Sequence, residues 1–407
     1  MNVNFMRFVD KNVGIPLCYI ISGYNRVVRI FLRKRKPVKI KKILFMQISE
    51  MGSAISAYSA ILKAKELYPD AEVYYFIFSE MQESVHLLDI IPKDKVITVP
   101  SKSFSGFIIG LIKVIFVMRR HKFDVILDLE LFSRLSSLLS FLFGSKISIG
   151  FYRFHMEGLY RGTYQTHKVI YNHMKHISYN FLSLVYAISA DADDIPHSKI
   201  SVPETDIKIK KIKSSPAEKD KIFKLLKIKN PEITRNSKIL VFNPNASELL
   251  PLRKWPLENY TELARKILKN NESVFIVITG VKSEIVDAEA ICGGVKNARC
   301  INFAGETTLR ELIDLYNISY ALLSNDSGPP NFASLTDIHG FVFFGPESPV
   351  CYKPLGVNIE ELYSNYMCSP CVSAYNHRKS ACTDNQCLKS ISVDDVYKKL
   401  KKAVKLK

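Results

Sequence analysis

The chain has 407 residues, 47% of them hydrophobic and 24% charged, and carries a formal net charge of +18. That length holds two domains of ordinary size, and that hydrophobic content excludes wholesale disorder. The charge is concentrated at the start, where residues 1–42 contain eleven Lys or Arg and a single acid, Asp10.

This leader interleaves its cations with aliphatic residues, as in Ile15, Leu17, Ile20 and Ile21 ahead of Arg26, Arg29 and the RKRK run at 33–36. A basic amphipathic leader of this kind suits an anionic membrane surface, where each cation contributes about 1 kcal/mol. A solvated basic tail is the alternative. Nucleic acid is not expected as a partner, because no recognised nucleic-acid module accompanies the charge. The early apolar run is short and lacks a small-residue cleavage pattern, so a cleavable signal is not expected. No stretch reaches 18 uninterrupted apolar residues; the longest, at 107–118, is interrupted by Lys113. The expectation is a cytoplasmic protein, peripheral on the inner face of the cytoplasmic membrane.

From residue 43 onward, short apolar runs alternate with amphipathic segments. Strands are predicted at 43–48, 71–78, 96–99, 123–129 and 146–150, with helices at 54–67, 80–91, 106–120 and 131–143. A longer helical region at 165–190 follows, and it carries His167, His173 and His176. Residues 191–237 are polar and broken by Pro196, Pro203, Pro216 and Pro231, with one short helix at 217–226. A second series then begins, with strands at 239–242, 273–279, 300–302, 320–324 and 341–344. Its helices are predicted at 257–270, 284–292, 309–316 and 392–406. Such alternation predicts an α/β protein of two doubly wound, Rossmann-like domains, each a parallel sheet covered on both faces. The divisions are a leader at 1–42, an N-terminal domain at 43–205, a connection at 206–237, a C-terminal domain at 238–375, and a cysteine-containing loop with a final helix at 376–407.

Ligands in open α/β sheets bind beyond the carboxyl ends of the strands. The loops there hold the polar residues of interest: Glu50, Gly52 and Ser53; Asp128 and Glu130; Asn243 and Asn245; Arg253 and Lys254; Glu284; and Asp326, Ser327 and Gly328. The last three start a helix after an apolar strand, where free N–H groups and the helix dipole favour an anion. A nicotinamide dehydrogenase is disfavoured, since the first strand–helix turn holds only Gly52 of a Gly-rich fingerprint. Late in the chain, Cys368, Cys371, Cys382 and Cys387 open with a C-x2-C pair. That spacing admits a structural zinc, with free thiols as the alternative.

The second half reads, in order, NPNAS, RKWP, GVKSE, AGETTL, SNDSGPPNFA and FGP. These motifs resemble those of the ADP-heptose:lipopolysaccharide heptosyltransferase family, glycosyltransferase family 9. The resemblance implies a GT-B fold, with an inverting transfer that needs no metal or other cofactor. It implies a nucleotide-diphosphate sugar, ADP-heptose, on the C-terminal domain, and a lipid-linked saccharide acceptor on the N-terminal one. By the same resemblance Asp326, Ser327 and Gly328 would hold the diphosphate, Arg253 or Lys254 would supply the cation that neutralises the leaving nucleotide, and Glu284 would contact the nucleoside, with Asn243 and Asn245 on the donor side and Gly52 and Ser53 on the acceptor side.

Two departures stand out. Pro330-Asn331 replaces the family's Met-His. In the first turn, Ser53 occupies the position of the family's general-base aspartate, and Gln47 that of its arginine. A serine cannot deprotonate a sugar hydroxyl unaided. Glu50 is the candidate base, with Asp128 and Glu130 behind it. The alternative is a protein that binds nucleotide sugar without turning it over, acting as a regulator or scaffold.

Overall fold

The computed structural model describes residues 3–31, 39–191, 193–246 and 250–406. The basic run at 33–36 and Ser247 of the NPNAS turn lie outside them. The chain divides into two compact units, one ending at Lys208 and the other starting at Ile209.

The first unit contains α1 (Val3–Asn12), α2 (Gly14–Phe31), β1 (Lys42–Met46), α3 (Met51–Ser56), α4 (Tyr58–Leu67), β2 (Glu72–Phe78) and α5 (Glu83–His86). It continues through β3 (Val96–Val99), α6 (Phe104–His121), β4 (Val125–Asp128), α7 (Arg134–Phe143), β5 (Ile147–Phe151), β6 (His167–Val169) and α8 (Ile177–Tyr186). Its six parallel strands run in the order β3-β2-β1-β4-β5-β6. The chain moves outward from β1 to β3, then returns to β4 on the other side of β1. The strand order therefore reverses between β1 and β4, where Met46 pairs with Asp128. Both strands are apolar runs buried on both faces, as a central parallel sheet requires.

Helices α1 and α2 pack onto this unit rather than trailing from it. Asp10 accepts from the backbone N–H of Arg134 (2.9 Å) and of Leu135 (3.0 Å), and its other oxygen meets the Arg134 guanidinium at 3.0 Å. It thus supplies negative charge to the start of α7, where the helix dipole favours it. Tyr19 stacks on Tyr160 at 4.2 Å, and Cys18 is buried with Leu138, Tyr160 and Tyr164.

Three helix expectations are corrected here. The 54–67 helix is broken at Ala57 into α3 and α4. The 80–91 helix shrinks to the four residues of α5, ahead of a left-handed Asp89 (φ 48°). The 165–190 helix is instead β6 followed by α8. His167 lies buried in β6, His173 is in the turn, and His176 caps α8 by accepting from Ser178 N–H at 3.2 Å.

The second unit holds α9 (Pro216–Lys229), β7 (Lys238–Asn243), α10 (Leu257–Asn270), β8 (Val274–Ile278), α11 (Ile285–Val295), β9 (Cys300–Asn302) and α12 (Leu309–Ile318). Then come β10 (Ala321–Asn325), α13 (Gly328–Ala333), β11 (His339–Phe344), α14 (Pro349–Tyr352), β12 (Ile359–Tyr363), α15 (Gln386–Lys389) and α16 (Val393–Val404). The parallel order is β12-β11-β10-β7-β8-β9, so the reversal falls between β7 and β10. Helix α10 buries Tyr260, Leu263, Ala264, Ile267 and Leu268, the i, i+3, i+4 stripe of an amphipathic helix. The final helix adds Val396, Tyr397 and Leu400 to the same core. The stretch at 209–237, read as connection, packs into this unit: Ile212 N–H donates to Leu335 O, and α9 starts with a Ser215–Glu218 capping box.

Candidate functional site

Each reversal of strand order leaves a crevice at the carboxyl edge of its sheet, the place where open α/β sheets bind ligands. In the first unit this crevice joins the β1–α3 turn to the end of β4. Glu130 reaches across it. One of its carboxylate oxygens, Oε1, accepts from the backbone N–H of Ile48 (2.6 Å) and Ser49 (3.1 Å). Its Oε2 has no hydrogen-bond partner among the described residues. Burial raises the Glu130 carboxyl, the Glu50 carboxylate raises it further, and the two amides pull it back; it ends at about 7. Such a group changes protonation at neutral pH, as a general base should.

Glu50 precedes α3 without capping it, and its Oε2 accepts instead from Ser53 Oγ at 2.6 Å. The serine at the position of the expected aspartate therefore orients a neighbouring carboxylate. Gly52 and Ser53 form the first turn of α3. Asp128 is fully buried and engaged by the Arg161 guanidinium, by Ser136 Oγ (3.0 Å) and by the N–H of Glu130 (3.1 Å). Burial pushes its carboxyl up and Arg161 draws it back. A group so enclosed has its oxygens taken up within the unit, one of them by the Glu130 N–H. Gln47, also buried, accepts from Tyr75 OH at 2.8 Å.

In the second unit the crevice lies between the ends of β7 and β10. Asn243 is tied to Thr279 O at 3.1 Å. Asn245 is 3% exposed, and neither side-chain polar atom has a partner among the described residues. An unsatisfied buried amide is costly, about 1–3 kcal/mol, which makes Asn245 a candidate contact for a bound molecule. A Cβ on Gly280 would meet Glu284 Oε2 at 2.7 Å and Asn245 Nδ2 at 3.3 Å, so glycine keeps this corner open. Glu284 accepts from Val281 N–H at 2.8 Å; burial raises its carboxyl, with that N–H and Lys254 opposing. Arg253 and Lys254 each face a carboxylate, Asp326 at 3.4 Å and Asp287 at 3.1 Å.

The helix-start cradle is narrower than its residues suggested. Asp326 N–H donates to Phe343 O and so is unavailable to an anion. Pro329 and Pro330 have no N–H at all. Ser327 and Gly328 N–H remain, with no acceptor among the described residues.

A model of glycosyltransferase family 9 (heptosyltransferase) matches residues 112–381, well over half of the chain. The chain belongs to glycosyltransferase family 9. Among curated relatives, lipopolysaccharide heptosyltransferase 2 of Salmonella typhimurium is 32% identical over 120 residues, 29% of this chain and 34% of that protein. The aligned part thus spans about a third of that relative's length. The lipopolysaccharide core heptosyltransferase OpsX of Haemophilus influenzae is 22% identical over 331 residues, 80% of this chain and 85% of that protein. Escherichia coli ADP-heptose heptosyltransferase II superposes with a TM-score of 0.69 at 19% identity, covering 89% of this chain and 98% of the other. A family 9 protein from Veillonella parvula gives 0.70 at 16% identity, covering 91% and 99%. The fold is therefore the GT-B arrangement of two parallel-sheet α/β units, six strands each.

For this family 9 chain the zinc expectation is not supported. Cys371 Sγ lies 3.4 Å from Ser380 Oγ, Cys382 Sγ donates to Asp384 O, Cys387 is buried and Cys368 is exposed. Among the described residues no three His, Cys, Asp or Glu side chains gather as a metal requires.

One residue missed in the sequence organises the crevice of the second unit. Asn325, fully buried at the end of β10, accepts from Trp255 N–H (2.9 Å) and Tyr260 OH (3.3 Å) and donates to Pro244 O (2.7 Å). It clamps the NPNAS turn and the RKWP loop to the strand carrying Asp326. The signal was present as a buried-strand Asn, but its partners lie far away in sequence. Asn325→Ala leaves these groups unpaired in a dry interior. Urea unfolding of the second unit is expected to show a loss of about 3 kcal/mol or more.

Proposed function

We propose that this chain transfers a sugar, heptose by the family's example, from ADP-heptose to a lipid-linked saccharide acceptor of lipopolysaccharide or lipooligosaccharide type. Transfer inverts the anomeric centre in one displacement. Glu130 Oε2 takes the proton of the acceptor hydroxyl as that oxygen bonds to the anomeric carbon. The bond from that carbon to the diphosphate oxygen breaks, and its electron pair leaves with ADP. Arg253 and Lys254, with the N–H groups of Ser327 and Gly328, compensate the charge on the leaving diphosphate, and no metal is needed for that role. Asn245 and Glu284 contact the rest of the donor. Family membership and the two named relatives support the sugar and the acceptor class.

The single observation that carries the reading is the placement of Glu130, which spans the strand reversal of the first unit with Oε1 on the Ile48 and Ser49 N–H groups and Oε2 left for a substrate. It supports turnover over the scaffold alternative, whose support was the serine at position 53. The test incubates purified chain with ADP-heptose and a lipopolysaccharide core acceptor and weighs the acceptor by mass spectrometry. Gain of one heptosyl residue with release of ADP is expected. A chain whose melting temperature rises with ADP by mass action, yet never modifies the acceptor, is the scaffold instead.

A further inference from the structure

Helix α6 is apolar on the side that faces away from the sheet as well as the side that faces it. Phe107, Val114 and Met118 are buried, while Ile109, Ile112 and Phe116 point outward, the last 65% exposed. A helix apolar all round is normally enclosed. Helices α1 and α2 repeat the pattern beside it. Phe5, Phe8, Ile20, Tyr24 and Val27 are all exposed, at the helical spacing that puts Ile20, Tyr24 and Val27 on one stripe. The three helices are joined. Phe5 meets Phe104 edge-on at 5.9 Å, and α7 packs against both α2 and α6.

The charges on these helices are one-sided. Their only acid, Asp10, is turned inward onto Arg134. Lys11, Arg26, Lys113 and Arg120 are exposed and pair with no carboxylate among the described residues. Such an apolar face, larger than scattered surface hydrophobics, marks an interaction site. Its unpaired cations and missing acids fit an anionic bilayer: side chains enter the headgroup–acyl boundary and the cations meet lipid phosphates. Among the described residues no helix is long and apolar enough to cross a membrane, so the contact is interfacial.

We propose that α1, α2 and α6 together form a docking face for an anionic lipid surface, so that α6 of the folded unit, and not the leader alone, holds the chain there. The face adjoins the acceptor-side crevice. Asp10 sits on the start of α7, which follows Glu130 in the chain at the carboxyl edge of the same sheet. The role of the face, presenting that edge to a lipid-linked acceptor, rests on the reading of the acceptor given above.

The test floats the full-length chain with phosphatidylcholine vesicles, with and without phosphatidylglycerol. Binding is expected only with phosphatidylglycerol. Ile112→Ser/Phe116→Ser and Lys113→Glu/Arg120→Glu should each lower it about tenfold or more, since one cation alone is worth about fivefold. Both pairs are exposed, and an unchanged melting temperature shows an intact fold. Equal binding to neutral vesicles, wild-type binding by the α6 variants, or a dimer that the variants dissolve without any vesicle binding would overturn the proposal. Turnover of a delipidated core acceptor by these variants should match wild type, which separates this outcome from the catalytic one.

Discussion

Glu130→Gln is expected to lower kcat by about 10²–10⁴-fold, the usual worth of a positioned general base, while ADP still raises the melting temperature as in wild type. The amide keeps an oxygen for the Ile48 and Ser49 N–H groups, so the turn stays in place while proton acceptance is lost. The pH dependence carries a second signature. A base must be deprotonated to act, so kcat/KM should fall as pH drops through about 7. Because the Glu50 carboxylate helps raise this group, Glu50→Gln should move the acid limb to lower pH and retain most turnover. If Glu50→Gln instead abolishes turnover and Glu130→Gln does not, the roles are reversed. Stability runs the opposite way. The folded carboxyl is raised from 4.5 to about 7, so it holds its proton more firmly folded than unfolded. Its contribution is fully present below 4.5 and is lost as pH rises through 7. Above pH 7, thermal melts of Glu130→Gln should therefore be no lower than wild type.

Much of the scaffold was legible because each central strand is a continuous apolar run closed by polar turn residues. Val96–Val99, Cys300–Asn302 and the helix Leu257–Asn270 fall where patterning put them. The elements that escaped lack that signal. Strand β6 has three residues inside a segment that reads as helical. Strand β12 is an edge strand, IEELY, whose two acids face outward. Its sheet partner, not its composition, makes it a strand. The site shows the same division. Family motifs located the loops, but the ranking of carboxylates depended on what each one touches. Glu50 looked best from its place in the first turn. Glu130 gains its character from burial and from the Glu50 carboxylate, against two amides of the β1–α3 turn that lies far from it in sequence, while the Asp128 carboxylate is taken up by Arg161 and Ser136. At the crevice of the second unit the two prolines after Gly328 were visible in the sequence. The loss of Asp326 N–H to Phe343 was not, since it depends on the pairing of β10 with β11.

Arg253→Ala should reduce kcat about 10²–10³-fold, the range seen when one preorganised charge-stabilising donor is removed. The expectation needs a control, because Arg253 also faces Asp326 at 3.4 Å and both side chains are largely buried. Removing the guanidinium leaves a carboxylate in a poorly solvated place, costing about 3 kcal/mol of folding stability. It also leaves that charge beside the proposed position of the diphosphate, where it repels. The double variant Arg253→Ala/Asp326→Asn removes both problems. If Arg253 stabilises the leaving ADP, the double variant should recover its unfolding midpoint in urea but keep the low kcat. If Arg253 serves only to neutralise Asp326, turnover should return along with stability. Lys254→Ala is the graded comparison: its ammonium is partly exposed and already meets Asp287 at 3.1 Å. Its loss should cost about tenfold, less than that of Arg253, because a solvated, flexible ammonium stabilises developing charge less than a guanidinium fixed in a drier site.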